Sequence, residues 1–503
     1  MEGGLRTGQE SPADRLGVIG EELERCKRKA GRQRGGAGAP GSCRAVLAEL
    51  LGEVRPVDFA RLATLAGLPD GEKIKQKNYV TLAVKELLGL ATSGRWGLAC
   101  RDGFVYVYNG AYWQPMGGDD FKAFLAEAAV RMGIPKIKAD YYQFRDDLYK
   151  QFLSAANLQP PEKGDSTLVN LANGTFEISG GFQGLREFDR GDFLKYQLGF
   201  NYDPGAACPL FDRYLSHVLP DEGCRRVLSE YVGYVFLGNR LRLEKALILY
   251  GGGANGKSVF FDVVRALLGR DNICSYSLQN LTKGDGYQRA ELANKLLNYA
   301  SEINGRLEAS IFKQLVSGEP VEARQIYGKP FIMEDYARLM FNCNELPRDV
   351  EQTDAFFRRF LIVPFTVAIP PEEQDPELSR KIIAGELPGV FNWVLGGLRR
   401  LLRQRKFTES ELVRGQVEAY RRDSDSVAVF VDETGYFPDT LNKVSLQYMY
   451  EEYRVFSGQN GYICVSIKTF SARLERLGFE KVRQNNGRFV FASVGEERKK
   501  SFF

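Results

Sequence analysis

Residues Gly251, Gly252, Gly253, Ala254, Asn255, Gly256, Lys257 and Ser258 stand between the apolar run Ala246-Leu247-Ile248-Leu249-Tyr250 and the apolar stretch Val259-Phe260-Phe261. This G-x-x-x-x-G-K-S spacing constrains the fold more than any other part of the chain. Backbone N–H groups that curl round a polyphosphate need glycine wherever a Cβ would block the approach or forbid the dihedral. A strand must deliver such a loop, and a helix must leave it with its N-terminus directed at the anion. Lys257 is then placed to reach the β- and γ-phosphates, and Ser258 to offer its hydroxyl to Mg²⁺. The expected fold class is α/β around a P-loop core, with ATP and Mg²⁺ as the expected cofactors.

Composition narrows the setting. The chain has 503 residues, 44% hydrophobic and 26% charged, which suits a soluble globular protein of three or four domains. A net charge of +4 names no nucleic-acid partner, so local clusters must carry that argument. Eight cysteines at 26, 43, 100, 208, 224, 274, 343 and 464 form no C-x-x-C pair and read as reduced, mostly buried thiols. The single histidine, His217, rules out a His-rich metal centre and disfavours Ser-His chemistry. No stretch reaches the length of a membrane span and Met1 to Gly20 has no apolar signal core, so a cytoplasmic location, in a bacterial host, is expected.

Along the chain, residues 1–45 read as a basic disordered arm, because Arg25 to Arg34 places six cations in ten positions with little apolar surface to bury. The arm is either a nucleic-acid contact or a solvated tail. Residues 46–98 read as a small helical segment and 99–238 as a mixed, largely helical adaptor. The adaptor carries two Asn-Gly hairpin signatures, at Asn109-Gly110 and Asn173-Gly174. The ATPase core is expected over 239–405, a linker over 406–430 and a C-terminal module over 431–503.

A phosphate loop alone does not hydrolyse a nucleotide. A carboxylate for metal and water, a polar γ-phosphate sensor and a cation for transition-state charge must accompany it. Lys295 to Glu302 reads as a strand ending in an acid, which makes Glu302 the Walker B candidate and a second Mg²⁺ ligand beside Ser258. Ala337 to Asn344 reads as a second strand, with Asn344 as sensor. Asp354-Ala355-Phe356-Phe357-Arg358-Arg359-Phe360 presents two arginines before a third strand. One of them is a candidate arginine finger, working across a subunit boundary.

Taken together, G-G-G-A-N-G-K-S, N-Y-A-S-E, S-G-E-P-V-E-A-R, Y-G-K-P-F, F-N-C-N-E-L-P and A-F-F-R-R-F resemble superfamily 3 helicases of the phage and plasmid primase-helicase group. V-N-L-A-N-G-T-F and Tyr202 to Pro209 resemble the helical domain that precedes the ATPase there. The resemblance implies an AAA+ core that assembles as a ring, usually a hexamer, and couples ATP hydrolysis to translocation on DNA and duplex unwinding. It implies catalytic roles for Lys257, Glu302, Asn344 and Arg359, the last fitting the finger better than Arg358. It also implies that Lys313 to Lys329 forms a channel hairpin gripping single-stranded DNA, with Arg324 and the tip residue Lys329 as contacts. Two departures stand out: one acid, Glu302, where many relatives have two, and Gly328-Lys329-Pro330 where they often carry Lys-His.

The ends add less. The acidic pairs Asp119-Asp120 and Asp146-Asp147 do not close a convincing strand, so no primase activity is expected and a separate primase or polymerase is a possible partner. Near the C-terminus, a Ser466-capped helix precedes two short strands about an Asn-Gly turn, a winged-helix pattern. Lys468, Arg473, Arg476, Arg483 and Arg488 would then meet duplex DNA. The expected function is a replicative DNA helicase of a mobile element. The alternatives are an ATP-gated DNA-binding initiator or scaffold that unwinds nothing, and a defence-system ATPase.

Overall fold

The computed structural model describes residues 41–495 except 70, 95, 102, 159–165, 180–181, 302, 304–306, 326–329, 348–349 and 486. The described chain divides into two compact units. Arg25 to Arg34 of the expected arm lie outside the described residues, and the arm's last positions already belong to a helix that starts at Cys43.

The first unit runs to residue 161 and takes back residues 189–193. It contains α1 (Cys43–Glu53), α2 (Phe59–Leu65), α3 (Gln76–Ser93), the antiparallel strands β1 (Gly97–Arg101), β2 (Phe104–Tyr108) and β3 (Trp113–Met116), then α4 (Gly118–Arg131), α5 (Lys136–Ala139) and α6 (Tyr142–Ala155). Ser42 and Asp58 cap the first two helices by accepting from backbone N–H groups of their first turns. Asn109 closes the β2–β3 turn by accepting from the N–H groups of Ala111 and Tyr112, and Gly110 supplies a positive φ. One core joins Leu47, Leu50, Val84 and Leu87 to Phe121, Phe144 and Phe152. The expected boundary at 98 is therefore corrected, because the apolar faces of α1 and α3 are completed by α4 and α6.

The second unit begins with the antiparallel strands β4 (Thr167–Leu171), β5 (Gly174–Ile178) and β6 (Gln183–Arg186), followed by α7 (Pro209–Val218) and α8 (Glu222–Tyr234). Its centre is a five-stranded parallel sheet of β7 (Ala246–Tyr250), β8 (Ile273–Cys274), β9 (Leu297–Ala300), β12 (Arg338–Cys343) and β13 (Phe360–Pro364). The order is β13-β7-β12-β9-β8. An antiparallel pair, β10 (Val321–Arg324) and β11 (Pro330–Met333), stands apart from it. Strand alternation sends Leu247, Leu249, Tyr299, Met340 and Val363 into one core and Ala246, Ile248, Ala300, Phe341 and Ile362 into the other. A sheet buried on both faces explains why these strands read as continuous apolar runs.

The helices of this part are α9 (Lys257–Leu268), α10 (Leu278–Leu281), α11 (Tyr287–Ala290), α12 (Ala309–Ser317), α13 (Asp354–Phe357), α14 (Leu378–Gly385) and α15 (Leu387–Gln404). At Gly397 a Cβ would fall well inside contact distance of the Ser229 and Glu230 backbone, so α15 and α8 touch main chain to main chain. Gly397→Ala is expected to cost about 1–3 kcal/mol by forcing these helices apart. A urea-unfolding midpoint equal to the parent's would show that the contact tolerates a methyl group.

The expected linker over 406–430 is also corrected. It holds α16 (Glu411–Asp423), whose Val413 and Tyr420 are buried, and the Tyr420 hydroxyl donates to the Pro347 carbonyl at 3.0 Å. The C-terminal module starts within this range, at α17 (Ser426–Thr434), because Phe430 is a central member of its core. It continues through β14 (Tyr436–Ser445), α18 (Leu446–Gln459), α19 (Ile467–Arg476), β15 (Lys481–Gln484) and β16 (Gly487–Val494), with sheet order β14-β16-β15. No described helix is long and apolar enough to cross a membrane.

Candidate nucleotide-binding site

Strand β7 delivers residues 251–256 to the carboxyl edge of the parallel sheet, and α9 leaves from Lys257. Its glycines have separate jobs. Gly256 takes φ +85 against Tyr214 and Val218, where a side chain would collide, and Gly251 passes closer still to the Phe365 carbonyl. Gly252 and Gly253 have nothing within 4 Å of where a Cβ would sit, so their backbone borders open space. The first N–H groups of α9 have no partner within the helix and face the same edge.

Lys257 is buried, and its ammonium donates to the Gly251 carbonyl at 2.6 Å, the Gly252 carbonyl at 2.8 Å and Asn255 Oδ1 at 3.0 Å. Burial lowers its pKa from the ordinary lysine value, while Cys343 opposes the shift. Asn255, also buried, donates through Nδ2 to the Phe365 carbonyl at 2.9 Å and so fixes its Oδ1 toward the ammonium. Ser258 is exposed in the first turn of α9.

The parallel register decides which other candidates share this edge. Cys343 pairs with Tyr250, which places Asn344, exposed, one step beyond the end of β12 and beside Gly251. Phe341 pairs with Ala300, so β9 ends on the same side, with β12 between it and the loop strand. Glu302 lies outside the described residues. The strand leading to it is held by the fully buried Asn298, whose amide exchanges hydrogen bonds with the Tyr276 backbone. The Tyr299 hydroxyl donates to Asn342 at 3.0 Å, tying β9 to β12 just short of their ends.

The arginines sit at the other edge. Phe360 pairs with Ala246 at the start of both strands, so Arg358 and Arg359 are separated from Lys257 by the length of β7, about 16 Å at ~3.3 Å per residue. Arg359 does not present a free guanidinium: its side chain is only 9% exposed, donates to Ser317 Oγ and the Ala355 carbonyl, and pairs with Glu244 at 3.2 Å. Arg358 is 61% exposed, pairing with the same carboxylate at 2.9 Å. Of the two arginines, Arg359 is thus held within the fold and Arg358 faces outward.

The DNA-contact candidates also separate. Arg324 is exposed at the end of β10, its guanidinium 5.8 Å from the Tyr287 ring centre, whereas Lys329 lies outside the described residues. Lys468 is exposed on α19, and Arg483 and Arg488 are exposed cross-strand partners. Arg476 donates to the Gln352 carbonyl at 3.2 Å. Arg473 is corrected as a DNA contact, because it is largely buried in an ion pair with Asp425 at 2.9 Å.

Two supports of the site escape sequence reasoning. The buried Tyr214 hydroxyl donates to the Gly256 carbonyl at 2.7 Å, and the Ile369 N–H donates to the Ala254 carbonyl at 2.8 Å. Both come from segments far from the loop in sequence, and no local pattern marks them.

The sequence profile of the D5 N-terminal-like family matches residues 92–220, and that of a family of unknown function, DUF5906, matches residues 249–359. A candidate helicase of Acanthamoeba polyphaga mimivirus, L207/L206, is 23% identical over 210 residues, covering 39% of this chain and 22% of that protein. A candidate helicase of Invertebrate iridescent virus 3, 121R, is 24% identical over 241 residues, covering 42% of this chain and 24% of that protein. The chain thus spans less than a quarter of the length of each. Two solved apo structures of the NrS-1 C-terminal region align over 84% of this chain and 100% of theirs, with TM-scores of 0.44 and 0.43 at 12% and 14% identity.

Proposed function

We propose that this chain is an ATP- and Mg²⁺-dependent DNA helicase of a replicating mobile element or virus that works as a hexameric ring. The observation that carries the reading is the carboxyl edge of the parallel sheet. Lys257, Ser258, Asn344 and the end of β9 converge there on a loop whose glycines leave its backbone open. Ligands of open α/β sheets bind at this edge. The viral relatives named as candidate helicases and the motif resemblance support this reading.

Bound Mg²⁺ and ATP would supply the labile phosphoryl group. Ser258, exposed beside the open loop, and Glu302 would hold the metal, while Lys257 would neutralise phosphate charge. Glu302 would polarise water and Asn344 would sense the γ-phosphate. A cation at the far edge cannot reach the same chain's nucleotide, so Arg358 would serve a neighbouring subunit's site. Within the C-terminal module, α19 and the β15–β16 hairpin that follows it would act as a winged helix, with Lys468, Arg476, Arg483 and Arg488 meeting duplex DNA. The β10–β11 pair, with Arg324 and Lys329, would grip the single strand.

The test is ATP-dependent strand displacement on a forked duplex at ring-forming concentration. Glu302→Gln is expected to retain ATP, as measured by nucleotide binding, while losing both hydrolysis and displacement. DNA-stimulated ATP hydrolysis without displacement on any fork would replace the helicase by an initiator, and near-normal turnover in Glu302→Gln would transfer the role to another carboxylate.

A further inference from the structure

We propose that the first unit carries a binding surface for single-stranded nucleic acid, built from the start of α3, the short helix α5 and the first turns of α6. Tyr141 and Tyr142, 48% and 64% exposed, are adjacent there with ring centres 5.1 Å apart, and Ile137 beside them is 87% exposed. Gln143 orients both rings: its Oε1 accepts from the Tyr141 hydroxyl at 2.7 Å and its Nε2 donates to the Tyr142 oxygen at 3.1 Å. Their planes meet at 65°, so the rings do not stack on each other and both keep aromatic surface toward solvent.

Cations lie on the same helices and at the start of α3. Lys138 sits 4.2 Å from the Tyr79 ring centre, and Gln76 donates to Asp147 at 3.2 Å, contacts that bring the start of α3 against α5 and α6. Lys73, Lys75 and Lys77 are exposed about the start of α3, next in sequence to Gln76, which makes the contact with α6. Two of the carboxylates here are ion-paired, Asp140 with Lys136 and Arg145 and Asp146 with Lys122; Asp147 accepts from the neutral Gln76 amide, and Glu72 beside Lys73 is exposed. Exposed aromatic faces within a basic field suit unstacked bases on a phosphate backbone. A duplex offers no free base face to the tyrosines, which selects the single strand.

This surface is distinct from the β10–β11 pair and the C-terminal module and does not depend on ATP turnover. The test uses the full chain without nucleotide and an oligo(dT) probe, read by fluorescence anisotropy across a salt series. A parallel sample contains 5-iododeoxyuridine for photocrosslinking and peptide mapping. Tyr141→Ala with Tyr142→Ala is expected to weaken binding about tenfold, with crosslinks on the peptide holding Tyr141 and Tyr142. Lys75→Ala with Lys77→Ala is expected to reduce the salt slope by about 1.4, two contacts at ~0.7 each. All four positions are exposed, so the parent melting temperature should be kept. Parent-like affinity in both double variants, crosslinks confined to other segments, or an equal loss of duplex binding would each overturn the proposal.

Discussion

Lys257→Ala is expected to reduce ATP turnover by about 100- to 1000-fold, the scale on which loss of one preorganised charge-stabilising donor acts. The magnitude follows from how the ammonium is held. Three oxygens, from Gly251, Gly252 and Asn255, hold it at the mouth of the loop and occupy its three donors, so a bound phosphate would take the place of one or more of them. Its lowered pKa reports the desolvation that makes such a charge effective. Removing it also leaves Asn255 Oδ1 without this donor, so nucleotide binding should fall together with hydrolysis. Titration with a fluorescent ATP analogue and a steady-state phosphate-release assay separate the two effects. A variant that binds and turns over ATP within a few-fold of the parent would end the phosphate-loop reading. Lys257→Arg is the sharper control: it keeps the charge but not a compact ammonium able to reach three converging oxygens, and turnover should stay low.

The part of the site legible in the sequence is the part made by contiguous residues. Gly251 to Ser258 needs only a strand before it and a helix after it, and local spacing specifies both. What spacing cannot supply is orientation. Arg358 and Arg359 are neighbours in one turn, yet the fold points one toward Ser317 and the other outward. Arg473 reads as one of several basic residues on a helix until Asp425, 48 residues earlier, is folded against it. In α16 the charges of Glu411, Arg414, Glu418, Arg421 and Arg422 mask the apolar spacing of Val413, Val417 and Tyr420, so a packed helix reads as a linker. The joint core of the first unit was hidden for a related reason. Amphipathic periodicity shows that a helix has a buried face but not what covers it.

Arg358→Ala and Arg359→Ala should therefore fail differently. Arg359→Ala is expected to destabilise the fold by about 2 kcal/mol, because a largely buried guanidinium leaves Ser317 and Glu244 behind. The figure is discounted because Glu244 is 37% exposed and water replaces part of the lost partner. Arg358→Ala should leave the unfolding midpoint nearly unchanged, since its ion pair is largely solvent-exposed, yet lower turnover about 1000-fold if its guanidinium completes a neighbour's site. A mixing experiment isolates that role. Lys257→Ala subunits lack a working loop but keep Arg358, whereas Arg358→Ala subunits keep the loop. Combined, they should regain turnover that neither shows alone, because every interface pairing an intact loop with an intact Arg358 restores one site. Activity of the mixture equal to the sum of its parts, with the assembly confirmed by light scattering, would place the missing cation elsewhere. Full turnover in Arg358→Ala alone would remove the trans mechanism altogether.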